Sequence, residues 1–206
     1  MEAFLDGEPR AYSLAESERL DTLLAEINRD MAEQGRAVVS IHCNGQEVDA
    51  DELVAALARP LSGFQRVELT SMPAGEVAQA VLAQAAALVQ ETEQDHSGIV
   101  ELLNEGNTVR GMELLGGSFR VWQQAHEAVL QAVRLAHIPL DQIQVQGAPS
   151  AEIIQGLKGK LEQVKEALEA RDYVMLADIL QYEMGETVQS WKALIDQLSA
   201  QLSNQA

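Results

Sequence analysis

The stretch Phe64-Gln65-Arg66-Val67-Glu68-Leu69-Thr70-Ser71-Met72-Pro73-Ala74-Gly75-Glu76-Val77-Ala78-Gln79-Ala80-Val81 changes period in its middle. Phe64, Val67 and Leu69 are the apolar members of a run that reads as a strand. Beyond Pro73, Val77 and Val81 are followed by Ala85 and Leu88, the spacing of one face of a helix. Met72-Pro73 therefore divides the chain into a small sheet domain, residues 1–72, and a helical domain, residues 73–206. The fold class expected is α+β.

Toward the N-terminus, β-like runs alternate with amphipathic helices. Ala3-Phe4-Leu5, the turn signal Asp6-Gly7 and Arg10-Ala11-Tyr12 read as a hairpin. Ser13 and Glu16 have capping-box spacing, and Leu20, Leu23, Leu24, Ile27 and Met31 follow at helical spacing up to Gly35. Val38 to Cys43, Asn44-Gly45 and Gln46-Glu47-Val48 read as a second hairpin. Asp49 with Glu52 is a second cap pattern, and Leu53, Val54, Leu57 and Leu61 form its helical stripe. The natural package is a sheet of about five strands carrying two helices on one face. The order strand, turn, strand, capped helix occurs twice, with Gly7 and Gly45 in register. A ββα duplication accounts for it, and so does the reuse of the same few turn and cap residues.

Toward the C-terminus, apolar positions alternate in steps of three and four. Met112, Leu115, Phe119, Trp122, His126, Val129, Val133 and Ala136 make one seam, and Ile154, Leu157, Leu161, Val164 and Leu168 a second. Tyr173, Ala177, Leu180, Met184, Thr187, Trp191, Leu194 and Leu198 make a third. The first helical segment resumes at Ile99 and Leu102 after a polar stretch with Ser97-Gly98, which reads as a kink or short break. These segments predict an elongated antiparallel four-helix bundle of two helical hairpins. The one long join, about 138–149, has two prolines and a glycine and reads as a flexible loop. Residues 101–109 align with 166–174 at a constant offset of 65, which a repeated hairpin or convergence on one helix-turn-helix solution explains equally.

The 206 residues carry 32 acidic and 14 basic side chains, a net charge of -18. That charge opposes nucleic-acid phosphates and anionic membranes. No apolar run approaches the roughly 20 residues of a membrane span, and no signal peptide is evident at Met1 to Arg10, so a cytoplasmic protein is expected. A single cysteine excludes an intramolecular disulfide framework.

Few residues suggest chemistry. His42 and Cys43 are adjacent and point to opposite faces of their strand. Glu93-Gln94-Asp95-His96 has the Glu-x-x-His spacing of a metal-binding helix, but a di-iron bundle needs two such motifs. No nucleophile-base pair, phosphate-cradling glycine loop or dinucleotide fingerprint is present, so neither catalytic nor cofactor-binding nor metal-binding residues are assigned. His126 lies on a seam, where a structural hydrogen bond and a pH-sensitive or ligand-contacting role both fit. Trp122 and Trp191 suit core packing, or a partner hot spot if a ring is exposed. Asp178, Tyr182 and Glu186 share one face of the last helix, beside Glu183, as a solvated stripe or a site for a basic partner. The function expected is a non-enzymatic protein-protein interaction module, an adaptor or chaperone-like binder. Its partner is a basic or amphipathic helical segment of another protein, or a second copy of the chain. The alternative is a metal-dependent or small-ligand-binding protein, its site in the bundle interior or between the domains.

Overall fold

The computed structural model describes residues 1–205. The fold is α+β, a five-stranded mixed sheet followed by helices. Its backbone divides into two compact units, Met1–Val77 and the chain from Ala78 onward.

The first unit is built on β1 (Glu2–Leu5), β2 (Glu8–Pro9), α1 (Leu20–Glu33), β3 (Arg36–Cys43), β4 (Gln46–Glu47), α2 (Ala50–Leu57) and β5 (Arg66–Pro73). The sheet order is β2-β1-β5-β3-β4, with β1 parallel to β5 and the other pairs antiparallel. Asp6 and Gly7 have φ of 51° and 83°, and Asn44 and Gly45 have 54° and 83°. Two consecutive left-handed residues make the turn whose twist matches a hairpin. Both turns also hold β5. Asn44 Oδ1 accepts from the amides of Gln65 and Arg66 at its start, and Asp6 Oδ1 accepts from the amide of Ser71 near its end. One sheet face supplies Ala3, Ile41, Val67 and Leu69 to a core closed by Leu20, Leu23, Ile27 and Met31 of α1. Burying each of the larger of these side chains stabilises the unit by about 1.5–3 kcal/mol.

Three local expectations fail here. Ser13 caps no helix, because α1 begins at Leu20 behind Arg19. The backbone before it is bonded elsewhere: Leu61 donates to Glu18 O, Ser62 to Glu16 O, and Leu20 to Arg59 O. The return strand is Glu8–Pro9 rather than Arg10 to Tyr12, and Tyr12 instead donates its hydroxyl to Met1 O at 2.8 Å. The α2 stripe also shifts, so that Ala56 is buried, Val54 is exposed, and Leu61 sits in a separate 3₁₀ turn.

The second unit contains most of α3 (Ala74–Asn104), then α4 (Thr108–Leu135), β6 (Gln144–Val145), β7 (Ala148–Pro149), α5 (Ser150–Ala170), α6 (Tyr173–Asp178) and α7 (Met184–Gln205). A π-helical turn, Ile179–Glu183, joins α6 to α7. One hydrophobic core draws on α3, α4, α5, α6, α7 and the β6–β7 segment. In α3 the buried face is Ala78, Leu82, Ala85, Val89, Thr92, His96 and Ile99, an unbroken alternation of four and three. The helix is continuous through Ser97-Gly98. The expected break came from Thr92 and His96, polar residues that occupy seam positions. In α4 the buried row is Gly111, Leu115, Ser118, Trp122, Ala125, Val129 and Ala132. Phe119 and His126, expected on the seam, flank it half-buried.

The join at 138–149 is a packed segment rather than a flexible loop. Ile138, Ile143 and Val145 are buried, β6 and β7 form a hairpin across Gln146 and Gly147, and Ser150 Oγ donates to Leu140 O at 2.6 Å. Helices α3 and α5 end alike. Asn107 N donates to Leu102 O and Gly106 N to Leu103 O, while Asp172 N donates to Ala167 O and Arg171 N to Leu168 O. This is the paired bonding of a helix end that turns through a left-handed residue. Asp172 then caps α6 by accepting from Met175 N at 2.9 Å. Among the described residues no helix is long and apolar enough to cross a membrane.

Candidate functional site

The interior of the helical unit is interrupted by one polar and aromatic group. His96 enters from α3, Trp122 and His126 from α4, and Trp191 from α7. Trp122 Nε1 donates to His96 Nε2 at 3.3 Å inside the core. Nε2 is therefore the acceptor nitrogen, and the neutral ring carries its proton on Nδ1. No acceptor among the described residues takes that N–H. Burial pushes the His96 pKa down to about 4, partly opposed by the Glu93 carboxylate. The Trp122 and Trp191 rings meet edge-on with centroids 5.7 Å apart, and His126 lies 5.8 Å from Trp191 at a tilt. Such aromatic pairs contribute about 0.5–1.5 kcal/mol beyond the area they bury. Trp191 is fully buried, and its Nε1–H has no hydrogen-bond partner among the described residues.

Clefts open on both sides of this group. A cleft of about 440 Å³ runs between α3 and the π-turn, with His96, Val100, Glu101, Leu180, Gln181 and Gly185 among its walls. A groove of about 410 Å³ runs between α4 and α5. Phe119, Trp122 and His126 form one wall, Ile154, Leu157 and Leu161 the other, and Glu127 and Lys158 stand at the rim. A smaller cleft of about 260 Å³ between α5 and α7 is lined by Lys160, Glu183 and Glu186. π-turns recur at functional sites because the extra residue splays the helix wall.

The Glu-x-x-His pair of α3 is split between two tasks. Glu93 turns outward and accepts from Lys192 Nζ at 2.5 Å and from Gln189 Nε2 at 3.3 Å, whereas His96 turns inward to Trp122. Among the described residues no group of three or more His, Cys, Asp or Glu side chains is arranged to hold a metal ion. Asp95 stands next to this pair, and burial raises its carboxyl pKa, with Glu91 adding to the effect.

Trp122, His126 and Trp191, picked out separately in the sequence, thus converge. Asp178, Tyr182 and Glu186 are all exposed, but the π-turn intervenes between the first and the last, so they do not form a stripe on one unbroken α-helix. Glu183 instead bridges to Lys160 of α5. In the sheet, His42 pairs across strands with Glu47 and Glu68, while Cys43 packs on the core and burial raises its thiol pKa, partly opposed by Arg59. His96 is the site residue that the spacing argument undervalued. Its signal was present: continuing the four-three alternation from Val89 lands on Thr92, His96 and Ile99.

Comparison with known families gives two matches. A model described as a domain of unknown function, DUF8042, matches residues 80–194, more than half of the chain. A model described as the TP0873 N-terminal domain matches residues 1–73. No curated protein and no solved structure matches the chain.

Proposed function

We propose, from the premise that the chain belongs to the DUF8042 family, that it is a non-enzymatic cytoplasmic interaction module that seats a basic, amphipathic helical segment of another protein in a groove of its helical unit. The observation that carries this reading is the α4–α5 groove. Its floor is apolar and built from two helices, and its charged groups are confined to the rim. Amphipathic helices recognise such grooves through anchors at i, i+3 or i+4, and i+7. The net charge of -18 selects a basic partner and speeds its encounter. Exposed Asp178, Tyr182 and Glu186 provide a second surface for basic side chains. A second reading, a small-ligand site in the interior, draws on the cleft beside His96.

The finer architecture belongs to the same proposal. Residues 73–206 form an antiparallel bundle of two helical hairpins, following in the chain a sheet domain of residues 1–72. The hairpins are related by the offset of 65, which superimposes Leu102, Leu103, Gly106 and Asn107 on Ala167, Leu168, Arg171 and Asp172. Those are the residues whose backbone bonds close the two helix ends in the same way. The matching turns at Asp6-Gly7 and Asn44-Gly45 support a ββα repeat in the sheet domain.

The test is a labelled peptide with leucine and lysine at helical spacing, titrated against the full chain. Micromolar binding is expected, about tenfold or more weaker in Leu161→Arg, because a buried charge in the groove is left unpaired. Raising salt from about 0.05 to about 0.5 M weakens it further by screening. Binding that Leu161→Arg leaves unchanged would remove the groove from the account.

A further inference from the structure

The cleft between α3 and the π-turn shares no lining residue with the α4–α5 groove, so it stands or falls independently of the groove. From α3 it is lined by Glu93, His96, Ser97, Val100, Glu101 and Asn104, one stripe running along three turns of the helix. Its polar groups differ in how much bonding capacity they retain. Glu93 is neutralised by Lys192. Ser97 donates its hydroxyl to Glu93 O at 3.2 Å. Glu101 has no ion-pair partner among the described residues. His96, 5% exposed, has spent its Nε2 on Trp122 and holds an Nδ1–H that no protein acceptor takes. The Nδ1 atom is not among the buried unpartnered atoms, so it opens onto the cleft, where a ligand acceptor can take the place of water.

These groups set the chemistry of an occupant. Burial keeps His96 uncharged at neutral pH, so it donates a hydrogen bond without repelling a cation. The unpaired charge in the cleft is the Glu101 carboxylate. The apolar lining of the cleft is Val100, Leu180 and Val188. Five residues separate His96 from Glu101, a rise of about 7.5 Å and a turn of about 140°, which put their Cα atoms about 9 Å apart on opposite edges of the stripe, a distance that an extended arginine and the Glu101 side chain span together. We infer that this cleft binds an arginine-like organic cation, with its guanidinium or ammonium group on Glu101, its methylenes over Val100 and Leu180, and its carbonyl oxygen accepting from His96 Nδ1–H. A free amino compound and an arginine residue within a partner's chain present the same chemistry. Gly185, two residues past the π-turn, keeps the opposite wall low: a Cβ built there meets nothing within 4 Å.

The experiment is calorimetric titration of the full chain with Nα-acetyl-arginine amide, with the uncharged citrulline analogue as its control. The arginine probe is expected to bind and the citrulline probe to bind at least about tenfold more weakly. Gly185→Leu fills the cleft while replacing a helical glycine by a good helix former, so its melting temperature holds or rises while binding falls by more than about tenfold. Glu101→Gln, at an exposed position, weakens binding about fivefold, the scale of one exposed charge pair. Wild-type binding also perturbs the Nδ1–H resonance of His96. Tighter binding of free arginine than of Gly-Arg-Gly assigns the site to a free compound, and the reverse assigns it to a residue of a partner chain. No binding of any arginine probe at about 10 mM, equal binding of the citrulline analogue, or unchanged affinity in Gly185→Leu overturns the site.

Discussion

Ser71 and His96 are polar residues each 5% exposed, and their two units treat them in opposite ways. In the sheet unit every polar group of Ser71 is engaged. Its amide and hydroxyl donate to the Asp6 carboxylate at 2.7 Å, its hydroxyl accepts from Arg36 Nε at 2.8 Å, and its carbonyl accepts from Arg36 Nη2 at 2.9 Å. The network holds the β1–β2 turn, the start of β3 and the end of β5 together. In the helical unit, the polar groups of the interior are half used. Among the described residues Ser118 Oγ, Gln163 Oε1 and Trp191 Nε1 are buried without a partner, and the His96 Nδ1–H, which is not one of those buried atoms, meets no protein acceptor. A group that serves only stability is expected to be satisfied, since leaving it unmatched costs about 1–3 kcal/mol. Polar groups in the sheet are therefore structural clamps, while several of those among the helices are left without a partner.

The largest effect that tests this contrast is the pH dependence of His96. Its folded pKa, about 4, lies below the ordinary 6.5, so between those values the unfolded chain binds the extra proton. His96 therefore contributes full stability above about pH 6.5 and loses it as pH falls toward 4, by roughly 3 kcal/mol at most. Chemical denaturation at pH 7 and pH 4.5 reads this loss directly. In His96→Gln the difference between the two pH values is expected to shrink by most of that amount. An equal difference in both proteins would place the imidazole in contact with water rather than in the core.

The two tryptophans give the next largest effect. Trp122→Phe and Trp191→Phe remove similar volumes from the same core, but only the first removes a donor that is in use. It leaves His96 Nε2 without its hydrogen bond, whereas Trp191→Phe removes an N–H that was already unpartnered. Trp122→Phe is expected to be the more destabilising by about 1–2 kcal/mol, measured as the difference in unfolding free energy. If Trp191→Phe costs as much or more, the Trp191 N–H is satisfied within the folded protein and the contrast between the two units is smaller than drawn.

The alternation of three and four made the helices legible, and the Asp-Gly and Asn-Gly pairs made the hairpins legible, because each signal is local and has one geometric cause. The exact buried row of α4 was not legible. Gly111, Ser118 and Ala125 are small, and a hydrophobicity count favours their larger neighbours Met112, Phe119 and His126, although small residues are what close helix contact requires. The β6–β7 hairpin was hidden for a related reason. Its turn, Gln146-Gly147, takes the left-handed conformation with a glutamine where Asn or Asp is the usual signal. The start of α1 depended on backbone bonds to Arg59–Ser62, some forty residues away, which no local cap pattern encodes. At the site, Trp122 and His126 could be placed on one helix from sequence, but their meeting with His96 and Trp191 depends on which helices are neighbours.

The smallest effect tests the sheet side of the contrast. The Asp6 carboxyl is held below the usual carboxylate value first by the Ser71 amide, then by the Ser71 hydroxyl, with Arg36 adding a smaller contribution. A depressed folded pKa means that the ionised carboxylate contributes stability above its ordinary titration, and that this contribution disappears as pH falls through the folded value. Asp6→Asn retains an oxygen for the Ser71 amide and tolerates the left-handed backbone at φ 51°, so the hairpin persists. What it removes is the charge. Melting temperatures followed from pH 6 to pH 2 are expected to fall less steeply below about pH 4 in Asp6→Asn than in the parent chain. The midpoint at pH 6 should move far less than in Trp122→Phe, because the side chain is partly exposed and solvent screens its pair with Arg36. A steeper acid limb in the variant would mean that Asp6 is strained against Ser71 rather than stabilised by it, and the clamp would then be the element under tension.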